Sequence, residues 1–272
     1  MFFVNQLSPC YILLFILKNW YNLCMEQMKL DLKQWTAKDI TSFEKYLLSL
    51  KSTDYKCTWE QRIVNTSLPC LATGSEKLRI IINKIAKGNY ISFLNYMLWN
   101  NHAETLINGG LISKIKDFET FSHYLEIYAD KCDNWSTCDT LKFNVTLENK
   151  HKFLGLSTRY IKNSKTYFKR IGFRILFSLI KYDDCVEEIF NLIKNAKPET
   201  EYYVNMCVAW LVCELFVKRR EQTLEFLKTN SLNAFTLNKA ISKCCDSFRV
   251  TQADKDFLKT LRVKKQLSAV LS

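Results

Sequence analysis

The chain has 272 residues, 48% hydrophobic and 24% charged, which excludes an intrinsically disordered protein and permits a sizeable core. With 6 glycines and 3 prolines it lacks the turn residues of a β-rich fold, so helices joined by short polar loops are expected. A formal net charge of +12 suits a polyanionic partner, with lysine-rich solvated faces as the ordinary alternative.

The first apolar run, "CYILLFIL" at residues 10–17, is too short to span a bilayer and is closed by Lys18. No early basic region or small-residue cleavage site marks it as a signal peptide. Met25 and Met28 follow, so residues 1–27 are expected to be an extension upstream of the true start. A short membrane-associating segment is the alternative. Residues 28–272 are read as one domain.

From Lys29 onward the pattern is helical. "TSFEKYLLSL" pairs Thr41 with Glu44 as a capping box and places Phe43, Tyr46, Leu47 and Leu50 on one stripe. "SEKLRIIINKIAKGN" offers Ser75 as an N-cap and Gly88 with Asn89 as a stop. Further helices are predicted over about 91–99, 103–116, 118–131, 134–146, 149–162, 165–182, 184–196, 200–218, 220–229, 233–246 and 251–261. Helix pairs recurring about every 35–40 residues, with no linker between them, predict an all-α solenoid of HEAT-like type.

The 11 cysteines are odd in number and scattered, which fits reduced thiols in a cytoplasmic protein. No CxxC occurs, and His102, His123 and His151 lie far apart, so no metal is expected.

Three stretches could carry chemistry. In "CDNWSTCDTLKF", Trp135 and Asp139 are spaced to share one helical face. The structural reading is an N-cap at Asp133 or Asn134, a core tryptophan, and a first-turn acid favoured by the helix dipole. In "YYVNMCVAWLVCELFVKRR", Tyr203, Cys207, Trp210 and Glu214 fall close to one face, and such a tryptophan is usually core. Lys218, Arg219 and Arg220 at its end suit either the macrodipole or a phosphate. In "YFKRIGFRILF", Lys169, Arg170 and Arg174 interrupt an apolar helix that also contains Gly172. Basic residues interleaved with aromatics suit nucleic acid, or the charged rim of a solenoid. The glycine suggests close helix packing or a concave surface approached by a ligand.

These stretches together with "WEQRIVNTSLPCLA", "LRIIINKIAKGNYISFL", "LINGGLISKIKD" and "NAFTLNKAISKCCDSFRVTQADKDFLKTLR" resemble, in order, the DNA alkylation repair family of HEAT-like-repeat, AlkD-like glycosylases. The resemblance runs from Trp59 to Arg262. It implies a monomeric, cytoplasmic DNA glycosylase, nucleoid-associated when bound, that excises N3- and N7-alkylated purines from double-stranded DNA without metal or cofactor. The duplex would lie in a basic concave face without base extrusion. The family's catalytic acid would be Asp139, with Trp135 and Trp210 as aromatic walls and Arg170 as the basic residue on the intervening helix. Lys169, Arg174, Lys218 and Arg219 are the further DNA-contact candidates. Cys213 and Asn205 stand where the family's basic residues are common. They keep open a protein that binds damaged or branched DNA without excision; a protein-binding scaffold is the third reading.

Overall fold

The computed structural model describes residues 28–229 and 231–263; the expectation of an upstream start concerns residues 1–27, which lie outside them. All regular structure among the described residues is α-helical. They form two compact units, one running to Ile63 and resuming over Leu68–Leu111, the other made of Val64–Ser67 and the chain from Ile112 onward.

The first unit contains α1 (Ala37–Ser49), the bulk of α2 (Asp54–Val64), α3 (Ser75–Ile85), α4 (Tyr90–Leu94) and the bulk of α5 (His102–Ile112). Trp35 sits edge-on to Phe93 with centroids 4.9 Å apart, and Phe43 meets Phe93 at 5.1 Å. Helix α1 starts a turn earlier than its predicted cap. Thr36 and Asp39 form the capping box, while Thr41 lies inside the helix and donates to the Ala37 carbonyl. "TAKD" offers the same reciprocal chemistry upstream. Ser75 is likewise the first helical residue, and Gly74 precedes it at φ +87°, a conformation suited to glycine. Helix α2 has no clean apolar stripe and was not foreseen; it buries Cys57 and Val64 and leaves Trp59 exposed.

The second unit holds α6 (Phe118–Lys131), α7 (Trp135–Thr140), α8 (Lys150–Ile161), α9 (Thr166–Leu176) and α10 (Asp183–Asn195). It continues with α11 (Tyr202–Lys218), α12 (Arg220–Lys228), α13 (Ala234–Asp246) and α14 (Gln252–Thr260). Helix α9 packs against α6, α7, α8 and α11, and α11 packs onward against α12 and α13. Buried residues ring most of α11, as a helix covered on several sides requires.

Gly172 settles how α9 meets α8. A Cβ there would lie 2.9 Å from the Ile161 nitrogen and 2.8 Å from its Cγ1. Ser157 Oγ also donates to the Gly172 carbonyl at 2.8 Å. The glycine therefore serves close helix packing. Gly172→Ala gains about 1 kcal/mol of helix propensity, but forcing two backbones apart costs roughly 1–3 kcal/mol. A net loss of stability is expected in thermal melts; an equal or higher midpoint would contradict the tight contact.

Four helices end several residues earlier than predicted, α4 at Leu94, α5 at Ile112, α7 at Thr140 and α9 at Leu176, and the last two endings shape the site. Helix α7 stops at Thr140 because the following segment has partners elsewhere. Lys142 N–H donates to Ser113 Oγ at 2.9 Å, and Asn144 Nδ2 donates to the Ser113 and Ile115 carbonyls. Helix α9 stops at Leu176, where Ser178 and Leu179 N–H groups turn to the carbonyls three residues back.

Candidate functional site

Helix α7 is built to hold one short segment still. Asn134, fully buried, is its N-cap and accepts from the Thr137 N–H at 3.1 Å. Asp133, the other cap candidate, instead accepts from Thr66 Oγ1 at 2.6 Å and Ser67 N–H at 3.0 Å. Cys138 is fully buried beneath the helix, and burial pushes its thiol pKa well up. All described cysteines are free thiols.

The early ending of α7 puts Asp139 in its last turn rather than its first. A carboxylate there opposes the helix dipole, so the expected dipole stabilisation is absent. Compensation comes from α9. Arg170 reaches Asp139 with two donors, Nη2 to Oδ2 at 2.8 Å and Nε to Oδ1 at 3.3 Å. Its third arm, Nη1, donates to the Tyr203 carbonyl on α11 at 2.5 Å. The Arg170 side chain is only 5% exposed, against 18% for Asp139. A forked guanidinium on a carboxylate fixes the carboxylate plane as well as its position.

Burial pulls the Arg170 pKa down, but Cys207 and Asp139 outweigh it and leave the value raised. Burial also pushes the Cys207 thiol up to about 11, so near neutrality that group is an uncharged thiol. Asp139 is therefore the negative partner that holds Arg170.

Arg174, one turn further along α9, brings the tryptophan of α11 into the same cluster. Its Nε lies 3.4 Å from Asp139 Oδ1. Its guanidinium carbon stands 4.7 Å from the Phe177 ring centroid and 5.3 Å from that of Trp210. Those rings meet edge-on at 5.4 Å. Trp210 is 39% exposed although Ala209 and Leu211 beside it are buried, so it is not the core tryptophan its apolar surroundings suggest. Trp135 is half-buried, one turn before Asp139 on α7.

Asp139, Arg170, Arg174 and Trp210 thus form one connected cluster, and Trp135 shares the helix of the acid. Phe177 and the Tyr203 carbonyl belong to it and were not singled out from sequence. For Phe177 the signal existed: it follows Arg174 by three positions, the spacing of neighbours on a helix surface.

The remaining predicted DNA contacts are placed differently. Lys169 pairs with Glu199 at 2.7 Å. Arg219 pairs with Asp183 at 2.5 Å and donates to the Ile180 carbonyl, so it braces the turn after α9. Lys218 is exposed. Arg170 is enclosed by protein and serves the acid. Of the two positions that depart from the resemblance, Asn205 is buried, donating to the Glu199 carbonyl and accepting from Thr236 Oγ1 and Asn233 Nδ2. Cys213 is buried too.

Among the described residues, two groups bring three potential metal donors within 4.8 Å of one another: Glu60 with Cys70 and His102, and His151 with Asp184 and Cys185. In each the carboxylate already serves protein donors. Glu60 faces His102 Nδ1 at 3.2 Å and accepts from the Ala72 N–H at 2.8 Å, which clamps a residue held at φ 48°. Asp184 meets Lys150 Nζ at 2.5 Å. A cleft of about 580 Å³ beside Lys169 and Glu199 has none of Asp139, Arg174 or Trp210 in its walls.

Regular structure that is all helical among the described residues, with a braced carboxylate and an open tryptophan, fits the class of helical DNA-repair enzymes. The family model described as "DNA alkylation repair enzyme" matches residues 50–244, and the chain belongs to that family. Every residue of the cluster lies within the match. Comparison with the curated proteins gives no match.

Proposed function

We infer that the protein is a monomeric DNA glycosylase that excises N3- and N7-alkylated purines from duplex DNA. On this reading residues 28–272 act as a single HEAT-like domain whose basic concave face receives the duplex. The observation that carries the reading is the Arg170-braced Asp139 beside a tryptophan left open to solvent.

The substrate base is already a cation, so its bond to the sugar breaks without protonation of the base. Both bonding electrons leave C1′ with the base, and the sugar becomes oxocarbenium-like. Asp139, held in plane by Arg170, offers negative charge to that sugar. An attacking water forms the new bond to C1′ and gives up a proton to the same carboxylate. The products are the free alkylated base and an abasic sugar. The Trp135 and Trp210 faces attract cationic base and sugar, each by about 0.5–2 kcal/mol. No step requires a metal or cofactor.

Duplex DNA carrying a single 7-methylguanine, incubated with the protein and then treated with alkali, should show time-dependent strand scission at that site. Intact strands despite measured binding would remove the glycosylase. The second reading, a binder without turnover, rests on Asn205 and Cys213, which depart from the resemblance; Lys169 and Arg219, engaged with protein acids, further limit the phosphate contacts open to either reading. With few phosphate contacts, the log–log salt slope for duplex binding should be about −2 to −4. A slope near zero would exclude both DNA readings in favour of a protein-binding scaffold.

A further inference from the structure

Glu60, Cys70 and His102 come from helix α2, the loop after it and the first residue of α5, all within the first unit. They are ten and thirty-two residues apart in turn, so no spacing motif announces them. One donor atom of each lies within 4.8 Å of the other two. His102 Nδ1 and Glu60 Oε1 are 3.2 Å apart. Zinc bonds of about 2.0–2.3 Å at tetrahedral angles put neighbouring ligand atoms about 3.3–3.6 Å apart. The pair therefore already spans one edge of such a site.

Each donor is held through atoms that a metal does not need. Glu60 Oε2 accepts from the Ala72 N–H at 2.8 Å, which leaves Oε1 turned to the ring. Cys70 lies between Pro69, whose carbonyl accepts from the His102 N–H at 2.9 Å, and Leu71, whose carbonyl accepts from the Ser52 N–H at 2.8 Å. Ala72 is held at φ 48°, a strained conformation of the kind found at ligand clamps. The His102 side chain is 1% exposed, and its Nε2 has no hydrogen-bond partner among the described residues. Hydrogen bonding alone does not account for an imidazole in this place. Glu60 is 26% exposed, so the group opens to solvent on the carboxylate side.

We propose that Glu60, Cys70 and His102 bind one zinc ion, with a water entering on the Glu60 side as the fourth ligand. A thiolate beside an imidazole selects zinc over magnesium or calcium. Binding expels the Cys70 thiol proton to solvent, and coordination at Nδ1 leaves the ring proton on Nε2. The ion ties α2, the strained loop and α5 together. Its role is structural: Asp139, Arg170, Arg174 and Trp210 all belong to the second unit. The His151 group differs, because the Lys150 ammonium already sits on the Asp184 oxygen that faces His151. Among the described residues no lysine or arginine pairs with Glu60.

The test strips the full chain with a chelator under reducing conditions and titrates it with cobalt(II). One equivalent should produce a thiolate-to-cobalt charge-transfer band, which zinc then removes. Cys70→Ser should abolish the band, and Cys185→Ser, at the other group, should leave it. Glu60→Gln keeps an oxygen for the Ala72 N–H and should weaken cobalt binding at least about tenfold, the loss that follows even from removing a partner of a ligand. With zinc at about a hundred times its dissociation constant, the wild-type thermal midpoint should rise by about 5–10 °C. The midpoint of Cys70→Ser should not respond. No band at one equivalent, a band that survives Cys70→Ser, or a wild-type midpoint indifferent to zinc overturns the proposal. Should Cys70→Ser fail to fold, Glu60→Gln decides, and an unchanged cobalt affinity there also overturns it. None of these readouts depends on DNA excision.

Discussion

Asp139→Asn should lower excision of 7-methylguanine by roughly 10²–10³-fold, the range for removing one preorganised electrostatic group from an active site. The substitution keeps the shape of the side chain and one oxygen able to accept from Arg170. On the proposed mechanism, what it removes is the negative charge that meets the oxocarbenium-like sugar and the base that takes the proton of the attacking water. DNA affinity should stay nearly constant, because Asp139 lies among basic residues and is not itself a phosphate contact. Single-turnover excision measured beside equilibrium binding separates these effects. Wild-type excision by the variant would remove Asp139 from the mechanism.

The second large effect is on stability. Arg170→Met exchanges a buried, three-donor guanidinium for a thioether. It leaves the Asp139 carboxylate and the Tyr203 carbonyl without their main donor. Breaking a buried pair by removing one partner costs about 3–5 kcal/mol. At roughly 2–4 °C per kcal/mol for a protein of this size, the midpoint should fall by about 6–20 °C. Arg174, 3.4 Å from the same carboxylate, can recover part of the loss by shifting toward it, which favours the lower end. The double variant with Asp139→Asn should lose less than the sum of the single losses, because the two residues share one interaction. Additive losses would show that Arg170 stabilises α9 and α11 without Asp139.

The helical class and most helix positions were legible because apolar periodicity is a local property. Phe118–Lys131 coincides with its predicted range. Errors arose where distant groups decided the ending. The Ser113 hydroxyl and carbonyl hold residues 142–144 away from α7, and nothing local to "TLKFN" announces that. That shift also changed the electrostatics of Asp139, read as a first-turn acid and found in a last turn.

The spacing of Trp135 and Asp139 was visible, but which residues would brace the acid was not. Arg170, Arg174 and Lys169 look alike in "YFKRIGFRILF". Only the packing of α9 on α7 and α11 sorts them: Arg170 and Arg174 face Asp139, and Lys169 faces Glu199. Trp210 illustrates the reverse difficulty. Its neighbours predict burial, and its exposure is set by which side of α11 the other helices cover.

The Asp133 clamp bears on how this site comes into being during folding. Thr66 and Asp133 are 67 residues apart, yet their hydrogen bond holds the residue immediately before the α7 cap. Closing so long a loop carries an entropic cost that rises only slowly with length, but its ends must find each other across many unformed contacts. The anchoring of the helix bearing Trp135 and Asp139 is therefore a long-range, not a local, property of the chain. A fragment beginning at Ile112 would lack Thr66 and Ser67 altogether, so the candidate site's acid-bearing segment depends on residues from the earlier half of the chain.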